Sequence, residues 1–137
     1  MANLSITAAN VVEDSVSKQA YTAGATITAG QALYIDTGNS NVAKLAQSDG
    51  TALEATVKGV AMNGASSGQP VYIAVSGDLD IGATVTVGTI YVLSQTAGAI
   101  CPVADLASSD YVSIIGVGTA ADNFKIAITN SGVEVPA

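Results

Sequence analysis

The sequence predicts an all-β protein: a compact β-barrel or β-sandwich built from an internal duplication, with an N-terminal arm. Three observations predict it. Short runs rich in β-branched or aromatic residues follow one another along the 137 residues, separated by clusters of glycine, asparagine, aspartate and serine, which is the pattern of a sandwich or barrel. Residues 24–30 (GATITAG) return as residues 82–88 (GATVTVG), and each copy runs on into a tyrosine and a β-branched residue, Tyr34-Ile35 and Tyr91-Val92. What recurs is glycine, threonine and alternating apolar residues, a framework with no set of reactive side chains in it.

In chain order, the first twenty residues, with Val11 and Val12 among them, have no counterpart downstream. They form an edge strand or an extended arm (residues 1–20) ahead of one domain (residues 21–137) with two related halves, 24–77 and 82–132. The halves are offset by roughly 57 residues, the length of a supersecondary unit. The first half reads as strands at 26–28 and 32–35, a turn at 36–39, the run VAKLA at 42–46 and a turn at 48–50. The one helical candidate follows at 51–57, where Asp49 or Thr51 can cap a turn or two. Lys58-Gly59-Val60-Ala61, turns at 63–64 and 67–70, a strand at 71–75 and a turn at 76–78 complete that half. The second half repeats the plan with strands at 84–87 and 90–93, a turn at 96–98, VADLA at 103–107 and a strand at 111–115 leading into Gly116-Val117-Gly118. A turn at 121–123 and a strand at 124–128 close it, with Ile126-Ala127-Ile128-Thr129 matching Ile73-Ala74-Val75-Ser76.

Phase within 71–75 points Val71, Ile73 and Val75 one way and Tyr72 and Ala74 the other. Both faces are apolar, which places the strand at the centre of a barrel or between the core and a second subunit. Tyr34, Tyr72, Tyr91 and Tyr111 read as core packing, with Tyr34 and Tyr91 at equivalent repeat positions and their hydroxyls toward the rim.

A chain of this length is about one domain with one core. It is 49% hydrophobic but only 11% charged, with a net charge of -7, so its polar surface comes from Ser, Thr, Asn and Gln and suits packing against other protein. Lys18, Lys44, Lys58 and Lys125 are scattered singly, without the clustering that phosphate binding needs, so nucleic acid is not an expected partner. Anionic membranes repel an acidic chain. No segment approaches the roughly eighteen continuous apolar residues of a span, and the N-terminus lacks the basic and apolar regions of a signal peptide. A soluble protein made in a cytosol is expected, and Cys101 stands alone without a disulfide partner.

With no histidine in the chain, the commonest general base near neutral pH and the commonest zinc ligand are both missing. Cys101, between Ile100 and Pro102, has no basic neighbour to lower its pKa and reads as an inert buried thiol. A carboxylate pair for glycoside hydrolysis would come from Asp36, Asp49, Glu54, Asp78, Asp80, Asp105, Asp110 or Asp122, most of them in turns, where an aspartate usually serves the turn itself. Asp78-Leu79-Asp80-Ile81-Gly82 reads as a solvated turn, because Thr84, Thr86 and Gly88 offer no acidic ligand to close a calcium loop. No catalytic residue, cofactor or metal is expected.

The runs GVAxNGxxxGQPVYxxxSG (residues 59–77) and GxTxTxGTxYxLS (residues 82–94), with Gly116-Val117, are framework motifs. In them the chain resembles the small capsid decoration, or cement, proteins of tailed bacteriophages, over about residues 20–132. The resemblance implies an all-β structural protein on the outer surface of a phage head. There it would bridge major capsid protein subunits and stiffen the shell as a homo-oligomer, a trimer favoured over a dimer, after synthesis in the host cytoplasm. The shared motifs describe scaffold, so contact residues come from exposure arguments instead. Val11 and Val12 in the arm, and Asn63, Ser66, Ser67 and Gln69 in a loop without full counterpart in the second half, are the candidates for capsid or subunit contact. The alternatives are a mobile terminus and an ordinary surface loop. Two rival functions are a carbohydrate-binding or adhesive β-module, which needs an exposed row of aromatics, and a hydrolase using Asp78 or Asp80.

Overall fold

The computed structural model describes residues 3–136, with Glu13 and Asp14 described by backbone alone. Met1 and Ala2 of the expected arm, and Ala137, lie outside the described residues. Among the described residues nine strands form: β1 (Val11–Thr22), β2 (Ala32–Asp36), β3 (Val42–Leu45), β4 (Gly59–Ala61), β5 (Pro70–Ile81), β6 (Ile90–Leu93), β7 (Ile100–Pro102), β8 (Tyr111–Gly118) and β9 (Asn123–Glu134), with short 3-10 turns at Ala8–Asn10 and Val103–Asp105. The architecture is all-β, one curled antiparallel sheet that makes a half-barrel, in the order β3-β2-β4-β5-β9-β8-β6-β7 with β1 also paired to β5.

The long strand β5 organises the molecule. β1 occupies one edge of it from Thr22 opposite Pro70 to Val11 opposite Ile81. A strand has two edges, so β4, opposite Ile73 and Ala74, and β9, opposite residues 76–80, take the other edge in succession. The sheet therefore divides there into two branches, β4-β2-β3 and β9-β8-β6-β7. A parallel bridge between Ala23 and Ala43 draws the end of β1 against β3 and curls the first branch.

Two cores result. The smaller lies in the first branch around Ile27, Leu33, Val71 and Ile73. The larger joins both branches through Tyr34, Val60, Leu79, Ile81, Tyr91, Leu93, Ile115 and Phe124, with the Tyr91 and Phe124 rings edge to face at 6.4 Å. Each such side chain, fully buried, is worth about 1.5–3 kcal/mol. Val71 and Ile73 of β5 enter the smaller core, while Ala74, Leu79 and Ile81 enter the larger. The doubly apolar strand is thus a partition between two cores of one chain.

Several local expectations are corrected. The turn at 76–78 is the middle of β5: Gly77 sits there at φ +104°, beside the two places where β1 and β5 slip register, so it marks a bulge. Asp78 to Ile81 likewise continue the strand, with Leu79 and Ile81 buried. Of the segments 26–28 and 84–87, only Ile27 pairs, in an isolated bridge with Ala65; they serve as connections between strands. The helical candidate is a single turn. Thr51 and Glu54 cap it reciprocally, the Thr51 N–H donating to the Glu54 carboxylate at 2.8 Å and the Glu54 N–H to the Thr51 hydroxyl at 3.3 Å. It ends because Ala55 and Val57 turn into the core and both backbone groups of Val57 are taken by the Asn130 side chain, at 2.9 and 3.0 Å. Tyr34 and Tyr91 are buried and Tyr111 partly so, but Tyr72 is 50% exposed, turned away from both cores.

Candidate functional site

The strand β1 separates the two regions singled out for contact. Val11 and Val12 lie at its start and the 63–69 loop leads into Pro70, opposite its end at Thr22, so at strand rise they stand on the order of 30 Å apart. Val11 and Val12 also part from each other, as neighbours on a strand must. Val11 packs against the larger core, and Val12, opposite Asp80, is 55% exposed.

Residues 3–10 run from the second branch to the start of β1. The Leu4 N–H donates to the Ile100 carbonyl at 2.8 Å and the Thr7 N–H to the Gly82 carbonyl at 2.9 Å, while Leu4 and Ile6 pack against the larger core. Beside this segment Val12, Asn10, Asp80, Thr84 and Asp122 line an open depression of about 490 Å³. Asp80 spends an oxygen on the Gly82 N–H at 3.1 Å, and no group of three or more Cys, Asp or Glu among the described residues is placed to hold a metal.

In the 63–69 loop the polar side chains are mostly engaged internally. The Asn63 amide oxygen accepts the Tyr72 N–H at 2.8 Å and its NH₂ donates to the Gly64 and Pro70 carbonyls. Gln69 accepts the Ser66 N–H at 2.8 Å, and backbone bonds tie the loop to Ala23 and Ile27. Asn63 and Gln69 therefore shape the loop, and Ser66 and Ser67 are the exposed hydroxyls it presents.

Polar groups at the seam between the branches are buried. Ser48, Ser94 and Asp110 are 0% exposed; Asp110 accepts from Gln95 at 2.8 Å and from the Ala107 N–H at 2.9 Å. Close by, burial pushes the Cys101 thiol up to about 11, with the Asp105 and Asp110 charges adding to the shift. A thiol so placed is not a nucleophile near neutral pH. On the first branch, a hydrogen bond from Lys44 at 2.8 Å holds the Asp36 carboxyl below its ordinary range and the Lys44 amine above its own.

The sequence reading did not single out the apolar side chains that stand out on the second branch, where Val87 is 65%, Ile90 38% and Val103 40% exposed. β-branched composition announces a strand, but only the register tells which side chains lack a cover. Comparison with known proteins finds no protein-family model and no curated protein that matches the chain.

Proposed function

We propose that the protein is a capsid decoration, or cement, protein of a tailed bacteriophage, a structural and non-catalytic component of the virion. It binds the outer surface of the head, bridges major capsid protein subunits and stabilises the shell. The observation that supports this best is where the resembling motifs fall. The run at 59–77 builds β4, the pinned loop and most of β5, and the run at 82–94 builds the entry to the second branch and β6, so both belong to the scaffold.

The reading includes the internal duplication, and recurring backbone pairs support it. Ala32 pairs with Val60 and Leu33 with Gly59 as Ile90 pairs with Val117 and Tyr91 with Gly116. The Gly30 N–H donates to Ala61 and the Gly88 N–H to Gly118, both at 2.8 Å. On this ladder Tyr91 stands where Leu33 does, so the alignment of Tyr34 with Tyr91 corrects by one residue. Matching side chains misled there, because backbone pairing tolerates a change of residue at any one position.

Attachment falls to exposed positions, Val12, Ser66 and Ser67 among them, with the N-terminal segment contributing through the face that β1 turns outward. Each contact is shallow, and an oligomer touching several shell subunits holds by avidity. Added to heads that lack decoration, the purified protein should bind at a saturating stoichiometry and raise their resistance to heat or chelator. Failure to bind would end the proposal, and binding without stabilisation would reduce the role to display. The carbohydrate-binding alternative has weaker support, since Tyr34, Tyr91 and Phe124 are buried and Tyr72 stands out alone; glycan-array binding would revive it.

A further inference from the structure

Only at Asn63-Gly64 does an asparagine of this chain precede a glycine, and the fold leaves that junction at the surface. Gly64 is exposed and Asn63 half-buried. Ala65, the next residue, is fixed, exchanging backbone bonds with Ile27 at 2.8 and 2.9 Å. Among the described residues the Gly64 N–H donates to nothing. A glycine nitrogen is also the least shielded of backbone nitrogens, because no side chain stands over it.

The Asn63 side chain is turned back over this junction. Its NH₂ donates to the Gly64 carbonyl at 3.0 Å and to the Pro70 carbonyl at 3.3 Å, and its oxygen accepts the Tyr72 N–H at 2.8 Å. One amide thus ties the start of the 63–69 loop to the first residues of β5. It is also the group that the neighbouring backbone nitrogen can attack. The oxygen that takes up negative charge in such an attack already accepts a backbone N–H, the arrangement that stabilises a tetrahedral intermediate.

We propose that Asn63 is a deamidation site, and that the reaction opens the loop whose ends it clamps. The Gly64 nitrogen, its proton taken by hydroxide, bonds to the Asn63 Cγ; the Cγ–Nδ2 bond breaks, and ammonia leaves with a proton from water. Water then adds to the resulting cyclic imide. Breaking the Cγ–N bond of the imide gives an aspartate, and breaking the bond from the main-chain carbonyl to that nitrogen gives an isoaspartate with one more methylene in the backbone. In either product the NH₂ that donates twice is gone and a carboxylate that donates nothing stands in the loop. The Gly64 and Pro70 carbonyls lose their donor, and the clamp between the loop and β5 is released. Ser66 and Ser67, the hydroxyls the loop presents, then lose their fixed setting, so the junction acts as a clock on that surface.

The test holds the full chain at pH 8 and follows its peptides by mass spectrometry. Wild type should gain the mass difference between an acid and its amide at position 63 ahead of every other asparagine, and roughly tenfold faster at pH 8 than at pH 7, since the reacting nitrogen anion is more abundant by that factor. Gly64→Ala should react roughly tenfold more slowly. Its circular dichroism spectrum should be unchanged, because the φ of Gly64 is not left-handed and an added Cβ meets only the Ile27 carbonyl oxygen, at 3.5 Å. Limited proteolysis reads the opening of the loop: aged wild type and Asn63→Asp should be cut several-fold faster within residues 63–69 than fresh wild type, and aged Gly64→Ala should not. An Asn63 that keeps its amide while another asparagine loses its own overturns the proposal. So does a Gly64→Ala chain that deamidates as fast there, or an Asn63→Asp loop as resistant as that of wild type. Every readout is of the isolated chain, so the outcome is independent of whether the protein binds heads.

Discussion

Replacing Gly77 and Gly88 in turn by alanine separates two costs that a left-handed glycine can hide. Both have positive φ, +104° and +82°, and an L-residue there costs about 1–2 kcal/mol. At Gly88 an added Cβ meets nothing within 4 Å, so Gly88→Ala should cost that and little more. At Gly77 the Cβ runs into the Ser15 carbonyl oxygen, with the Val16 Cα at 2.8 Å. Those atoms are backbone of the paired strand β1 and cannot rotate away. Forcing them apart adds roughly 1–3 kcal/mol of overpacking, and each ladder bond weakened adds about 1 kcal/mol, for a total near 4 kcal/mol. With an unfolding entropy of about 2.1 cal/mol/K per residue, each kcal/mol moves Tm by about 3.5 °C at this length. Gly88→Ala should therefore melt about 3–7 °C below wild type and Gly77→Ala about 14 °C below. Differential scanning calorimetry at one fixed protein concentration, since association shifts Tm, measures both. Equal losses within about 3 °C would refute a tight bulge at Gly77.

Four further outcomes follow from the same geometry. Cys101 should resist a thiol reagent in the native protein at pH 8 and react at once in denaturant, because burial holds its pKa near 11; rapid native labelling would contradict that placement. Ser48→Ala should be neutral or stabilising by up to about 1 kcal/mol, since the buried Ser48 hydroxyl has no partner, whereas Ser113→Ala should cost about 1–2 kcal/mol because the Ser113 hydroxyl bonds the Ala55 carbonyl; denaturant melts compare the two. The stability difference between wild type and Lys44→Met should be present at neutral pH and vanish in acid, because Asp36 has a lowered pKa and its contribution is lost as pH falls through the folded value; a difference that persists below about pH 2 argues against the pair. Deleting residues 1–20 should unfold the protein, as it strips most of one edge of β5 and removes Leu4, Ile6, Val11 and Val16 from the core; a folded truncation by circular dichroism would contradict this.

The all-β class was legible because β-branched runs and turn residues alternate at short spacing, and β2, β6 and β8 begin where the residues say. What failed has a common cause. Ser76-Gly77-Asp78 carries the composition of a turn, but composition cannot distinguish a glycine that reverses the chain from one that lets a neighbouring backbone pass close by. The threonine runs at 26–28 and 84–87 alternate as strands do, yet they form almost no ladder, because alternation describes a half-buried extended chain whether or not a partner lies beside it. β1 offered a mixed sequence with two acidic residues and no repeat to confirm it, and its pairing with β5 is a long-range event that local pattern does not encode. The candidate contacts fared unevenly for a related reason: Asn63 and Gln69 are polar and lie in a loop, but their hydrogen-bonding groups close that loop.

The two cores bear on why a chain so poor in charge folds as it does. A strand with one solvated face needs polar residues at alternate positions, and β5 has them at Ser76, Asp78 and Asp80, with Tyr72 exposed nearer its start. Elsewhere it divides its side chains between two interiors, so its hydrophobicity is fully used within one chain. The second branch is different, because Ile90 at the start of β6 and Val103 in the turn after β7 are apolar and exposed. The feature of this fold that composition and propensity leave unaccounted for is therefore local: Val87, Ile90 and Val103 are exposed apolar side chains on the second branch, while the next position along the Ile90–Val117 pairing is the exposed Lys125.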